Sequence, residues 1–178
     1  TLSTMFGSHL QGMPIIAENG TYVVRDGVDI SSSTIDPNLT REVITGVRQL
    51  RNDGHDVGLV VATKSIAYLE RGDDPFVSHV ATYYHSHRIV KDLSEHTDDV
   101  IKLSIYDFRE ASEATYPTMQ RTAPEHQVIL ATPNWVDIMN PGVNKGSAVE
   151  AVQRDLGVTA DQTAIFGDFL NDLEMMPM

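Results

Sequence analysis

An α/β fold is what this sequence predicts, and three observations carry the prediction. Short apolar runs of strand length alternate with stretches of helical periodicity. That alternation argues for α/β or α+β layers, and against a helix bundle or a β-sandwich. Hydrophobic residues make up 41% of the 178 positions, enough to bury a core and to exclude wholesale disorder. No internal repeat or low-complexity tract interrupts the pattern. The length suits one mid-sized domain or two small ones.

The elements follow in order. Residues 1–11 read as the end of a helix, and Met13 to Ala17 as a short buried strand leading into Glu18-Asn19-Gly20. Thr21 to Val24 and Val28 to Ile30 flank Arg25-Asp26-Gly27, a hairpin signal because Asp-Gly suits the positive φ of a tight turn. Ser31-Ser32-Ser33-Thr34 is the best linker candidate. Asp36 then caps a helix with Pro37 in its first turn, where a missing N–H costs nothing. Val43, Ile44, Val47 and Leu50 give that helix one apolar face, and Gly54 ends it. A strand is expected from His55 to Thr63, and a helix from Asp74 to about Leu93 with Phe76, Val80, Tyr83 and Tyr84 on related faces. Val100 to Tyr106 reads as a strand, about Glu110 to Arg121 as a helix, and Gln127 to Ala131 and Trp135 to Met139 as strands. Lys145 to Leu156 is a helix stopped by Gly157, and Thr163 to Phe166 a strand.

Charge and composition remove several classes of function. The formal net charge is −12 and no basic stripe offsets it, so a nucleic-acid backbone would be repelled. The longest apolar stretch, around Val57 to Ala62, is far too short to span a bilayer, and no signal-peptide pattern opens the chain. The absence of cysteine excludes disulfides and thiolate sites. A soluble cytoplasmic protein is expected, with neither nucleic acid nor membrane as partner. The first residue is Thr1, in mid-pattern, and the last follows the start of a helix, so both ends are expected to be cut.

The stretch GDFLNDLEMM, residues 167–176, concentrates chemistry. If Thr163 to Phe166 is a strand, Gly167 permits a sharp exit and Asp168 sits at a strand carboxyl end, where open α/β sheets build their sites. Asp172, in the first turn of the next helix, leans back toward the same crevice. Two carboxylates placed in this way suit a hard cation such as Mg²⁺, which also takes phosphate and water oxygens. The plainer alternative is that Asp168 or Asn171 only caps the helix. Lys145 favours the first reading. It follows the Asn140-Pro141-Gly142 turn at the start of a helix, where a cation is disfavoured unless an anion is also present.

NPGVNKGSAVEAVQRDLGV followed by TAIFGDFLNDLEMM resembles the third and fourth motifs of the haloacid dehalogenase (HAD) superfamily. More narrowly, it is similar to the Cof-type sugar-phosphate phosphatases with a large α/β cap of the IIB class, and PIIAENGTYVV resembles their exit from core to cap. The resemblance implies a partial HAD-like Rossmannoid core with an inserted α/β cap. Residues 1–34 would be core with a hairpin, 35–135 the cap, and 136–178 core again. It also implies roles. Asp168 would ligate Mg²⁺, and Asp172 would ligate or orient it through water. Asn171 would sit beside the phosphate, Lys145 would neutralise phosphate and nucleophile, and Asn19 matches a position near the core–cap junction. The substrate would be a small phosphorylated metabolite such as a sugar phosphate.

One departure bears on activity. Family chemistry begins with an aspartate in a DxDGT loop that attacks phosphorus, with the second aspartate as general acid and base. No such loop occurs here: Asp73-Asp74 and Asp98-Asp99 are adjacent pairs, and Asp26-Gly27-Val28-Asp29 is a turn. The nucleophile is therefore expected upstream of Thr1, and the chain as written is expected to be inactive. The rival reading is a non-catalytic α/β binding or regulatory module that keeps a metal-site remnant. Other pairings carry less. His85 and His87, two apart on a helix, would not share a face for zinc, and Ser65 lacks the glycines of a nucleophile elbow.

Overall fold

The computed structural model describes residues 6–167 and 170–176, and for residues 8, 9, 170 and 171 the backbone alone. The chain divides into two compact units, Thr1–Ser33 with Gly142–Met178, and Thr34–Pro141. Each carries its own sheet.

In the first unit, β1 (Ile15–Ala17), β2 (Tyr22–Arg25) and β3 (Val28–Ser32) form an antiparallel sheet in the order β1-β2-β3. Asp26 (φ 50°) and Gly27 (φ 79°) both adopt positive φ at the β2–β3 turn, as the Asp-Gly pair predicts. The register shifts between Val23 and Val24, and β3 continues through Ser32, which pairs with Tyr22. Most of the serine run is thus strand, and the units part between Ser33 and Thr34. The helix Lys145–Leu156 packs on all three strands, and Arg25 pairs with its Asp155 at 3.0 Å. Gly157, at φ 68°, ends that helix in the left-handed conformation. The helix expected over residues 1–11 is, within the described residues, a 3-10 turn at Gly7–Leu10.

The second unit is a six-stranded sheet in the order β6-β5-β4-β7-β9-β8. Its strands are β4 (Val57–Thr63), β5 (Ala67–Leu69), β6 (His87–Ile89), β7 (Val100–Asp107), β8 (Gln127–Leu130) and β9 (Trp135–Met139). All neighbours are antiparallel except β5 and β6. Strand alternation sorts side chains onto two faces. Val57, Leu59, Val61, Leu103, Ile105, Val136 and Ile138 face one way, into a core shared with α1 (Pro37–Asn52) through Val43, Ile44, Val47 and Leu50, and with α3 (Thr115–Thr122) through Met119. Val60, Tyr106 and Trp135 meet Phe76 and Val80 of α2 (Asp74–Tyr83). Gly58 allows that contact, because a Cβ there would overlap the Phe76 ring. Asp36 caps α1 as expected, accepting from the Asn38 N–H at 2.6 Å.

The structure departs from the sequence reading at three further elements. The helix begun at Asp74 stops at Tyr83 instead of near Leu93, because His87–Ile89 pairs with β5 and the Val90 N–H donates to the Leu69 carbonyl at 2.8 Å. His85 and His87 are therefore not on a helix. Edge pairing outweighs the helical spacing there, and β5 itself is too short to have signalled a strand. The helix expected from Glu110 starts only at Thr115, whose hydroxyl donates to buried Asp107 at 2.6 Å, while the Ala111 N–H is taken by the Pro133 carbonyl. Trp135–Met139 is a strand as expected and belongs wholly to the six-stranded sheet, in a unit that runs to Pro141, past residue 135. Thr163–Phe166 is not a strand. A strand exists by pairing, and among the described residues none pairs with this segment. Thr163 instead accepts from Gln153 and donates to the Thr159 carbonyl, and Phe166 is 91% exposed. No helix among the described residues is long and apolar enough to cross a membrane.

Candidate active site

Within the first unit, the flagged motifs gather at one helix end. The helix Lys145–Leu156, α4, opens with a capping box. Asn144 Oδ1 accepts from the Ser147 N–H at 2.8 Å, and Ser147 Oγ accepts from the Asn144 N–H at 3.1 Å. This fixes Lys145 as the first helical residue. A cation there opposes the helix dipole, and a carboxylate answers it: Lys145 Nζ donates to Asp172 Oδ1 at 2.5 Å. The carboxylate is the more enclosed partner, with side-chain exposures of 9% for Asp172 and 28% for Lys145.

Asp172 is carried by a 3-10 turn, Leu170–Met175, that packs directly on α4. Two glycines make this approach possible. A Cβ on Gly146 would run into the Glu174 carbonyl, and one on Gly167 into the Asp172 side chain. On the other side of the helix start lies the Glu18–Gly20 turn, with Asn19 at φ 57° and Gly20 at φ 98°. Asparagine tolerates the left-handed region better than most residues. Gly20 is needed twice over, since a Cβ there would also overlap the Asn144 carbonyl. Thr21, buried, closes the turn by donating from its hydroxyl to the Glu18 carbonyl at 3.0 Å.

The structure thus brings the turn bearing half-buried Asn19 to the helix end that carries Lys145, and Lys145 to Asp172. Asp168 lies outside the described residues, as does the side chain of Asn171. Among the described residues, no three His, Asp or Glu side chains cluster as metal ligands.

The second unit holds a polar network that the sequence reading passed over. Lys102 and Asp137, 8% and 7% exposed, approach at 3.6 Å on the α2 face of the sheet. Ser104 donates to Asp137 at 2.6 Å, and the Tyr84 hydroxyl lies 3.1 Å from Ser104. The signal was present as polar residues at alternate positions inside the buried runs IKLSIYD and WVDIM. In addition, a 310 Å³ cleft is lined by Thr63, Lys64, Ser65 and Tyr68 together with Glu95, His96, Asp98 and Asp99.

Known proteins resemble this chain along most of its length. A family model described as haloacid dehalogenase-like hydrolase matches residues 3–178. The 5-amino-6-(5-phospho-D-ribitylamino)uracil phosphatase YbjI of Escherichia coli (strain K12) is 25% identical over 181 residues, covering 98% of this chain and 64% of that protein. A Thermotoga maritima crystal structure, TM0651, superposes with a TM-score of 0.80 at 22% identity, covering 98% of this chain and 64% of that one. The HAD subclass IIB sugar phosphatase BT4131 superposes with a TM-score of 0.74 at 19% identity, again covering 98% and 64%. The chain therefore spans somewhat less than two thirds of the length of these relatives.

Proposed function

The chain belongs to the haloacid dehalogenase-like hydrolases, and on that premise we propose that it serves a Mg²⁺-dependent phosphatase acting on small phosphorylated metabolites such as sugar phosphates. The observation that carries the proposal is the Lys145–Asp172 pair at the start of α4, where an ammonium and a carboxylate share one place with a helix N-terminus. The unit Thr34–Pro141 takes the part of the family's cap.

The donor chemistry fits the metal. Asp172 offers hard carboxylate oxygens in an enclosed setting that already holds one positive charge, and Asp168 is the family's second carboxylate. When bound, Mg²⁺ offsets charge on the transferring phosphoryl group. The residues of this chain do the rest. Lys145 binds and neutralises the phosphate, Asn171 and Asn19 hydrogen-bond around it, and the enclosed Asp172 orients its neighbours. The nucleophilic aspartate that would take the phosphoryl group, as an aspartyl-phosphate, is not among the residues of this chain.

Two preparations assayed side by side test this reading. The full-length natural protein is expected to hydrolyse p-nitrophenyl phosphate or members of a sugar-phosphate panel with Mg²⁺, and to stop on chelation. Lys145→Ala or Asp168→Ala in it should cost at least about a hundredfold, on the scale of removing a key electrostatic group. The chain as written should give no turnover above background. Turnover by the short chain would place the nucleophile within it. An inactive full-length protein would favour a non-catalytic binding module.

A further inference from the structure

We propose that Lys145 is an exchangeable counter-ion: it occupies the Asp172 carboxylate until a divalent cation takes that carboxylate, and is thereby released to phosphate. The inference rests on the assignment of Asp172 to the metal and adds a coupling between the two ligands. Three observations support it. The contact is a direct ion pair, Nζ to Oδ1 at 2.5 Å, so an incoming cation meets a carboxylate oxygen that is already engaged. The two partners differ in freedom. Asp172 is 9% exposed and sits on a turn pinned against Gly146 and Gly167, whereas Lys145 is 28% exposed on a flexible four-carbon stem. The lysine is the partner that can leave. Finally, Lys145 stands at the positive end of α4, where an ammonium without an anion is unfavourable. Once displaced from Asp172 it gains by meeting another anion, and an oxyanion at the helix start is well placed to be that partner.

Competition of this kind has a fixed thermodynamic consequence. Cation binding that frees Lys145 tightens phosphate binding, and by reciprocity phosphate tightens cation binding by the same factor. Lys145 consequently weakens the metal site when phosphate is absent. Removing its charge is expected to tighten the site by about tenfold, the repulsion between a unit charge and a divalent ion about 6 Å apart under water-like screening.

The test measures binding and needs no turnover. Mn²⁺ affinity of the full-length protein is followed through the spectrum of the free ion, with and without inorganic phosphate. Wild type is compared with Lys145→Gln, Lys145→Arg and Asp172→Asn. Lys145→Gln should bind Mn²⁺ about tenfold more tightly than wild type without phosphate, and should lose the gain that phosphate confers. Lys145→Arg, which keeps the charge, should stay near wild type, and Asp172→Asn should weaken the site sharply. Unchanged or weaker Mn²⁺ binding in Lys145→Gln, with Asp172→Asn still disabling the site, overturns the counter-ion role and leaves the metal assignment standing. An Asp172→Asn protein that binds Mn²⁺ like wild type overturns the metal assignment and the inference together. If Lys145→Gln does not fold, Lys145→Met, which keeps the packing of the stem, is read against the same outcomes.

Discussion

Asn144 holds the first turn of α4 by a hydrogen bond in each direction, and Lys145 and the turn bearing Asn19 meet at that place. Replacing it with alanine leaves the Ser147 N–H without its cap and is expected to cost about 1 kcal/mol, the usual worth of an N-cap. Asn144→Asp should restore most of that, and urea unfolding of the three proteins measures the difference. The cap was hard to read from the sequence. A capping box ordinarily announces itself by Glu or Gln at the third helical position, and here a serine fills that place. Lys145 was legible because its chemistry is anomalous where it stands: a cation at a helix start asks for an anion. Which anion was not legible. Asp172 was read as a neighbour of the metal, and only the packing of the 3-10 turn on α4 shows it holding the lysine. Gly20 and Gly146 belong with these residues, since close approach of two backbones requires glycine at both.

Among the elements, α1 and the strands β2, β3, β4, β7, β8 and β9 are legible from local pattern, whereas the short edge strands β5 and β6 are not. The helix α1 followed from its cap, its proline and its apolar stripe, all local features. The segment after Tyr83 depends on an edge strand it meets only in the fold, and Thr163–Phe166 looks like a strand but has no described partner. Arg48 shows how such elements are tied together. From α1 its guanidinium reaches Glu70, just past β5, and donates to Asp92 at 2.7 Å. Hydrogen bonding to Arg48 holds the Glu70 carboxyl below its ordinary value, and the Ser94 hydroxyl, followed by Arg48, brings Asp92 down to about 2. Both groups therefore contribute stability above the carboxylate range of the unfolded chain and lose it as pH falls through their folded values. Thermal unfolding from pH 7 downward should show this acid-side loss, and Arg48→Met should flatten it while lowering stability at neutral pH. An equally steep acid limb in Arg48→Met would assign the loss to other carboxylates. The network on the opposite face carries a larger expectation. With Lys102 and Asp137 side chains only 11% and 9% exposed, Lys102→Met leaves a nearly buried carboxylate without its cation. It should cost about 3–5 kcal/mol, as breaking one partner of a buried pair does. A urea midpoint close to wild type would mean the carboxylate is compensated by the Ser104 hydroxyl alone.

At the scale of the molecule, the six-stranded unit is self-sufficient in what stabilises a domain. Its apolar clusters on both sheet faces draw only on residues between Thr34 and Pro141. Its entry and exit also meet. The Ile35 N–H donates to the Val100 carbonyl at 2.7 Å, and Asn140 Nδ2 donates to the Thr34 carbonyl at 2.8 Å, so the strand-to-loop ends are stitched at one point. Neighbouring termini and an internal core are the marks of a segment that can fold when cut out of its host. The other unit is built differently, from two stretches far apart in sequence, with α4 of one lying on the strands of the other. A polypeptide of residues 34–141 is therefore expected to be folded by itself, with a cooperative urea transition and dispersed amide resonances. The two flanking stretches, produced as separate peptides, should show neither until mixed. The contrast is what decides. An unfolded 34–141 fragment would mean that its sheet needs support from outside its own core, contrary to the completeness of its apolar clusters. A folded fragment whose stability falls on Lys102→Met by the same amount as in the whole chain would show that the buried pair belongs to this lobe's own energetics.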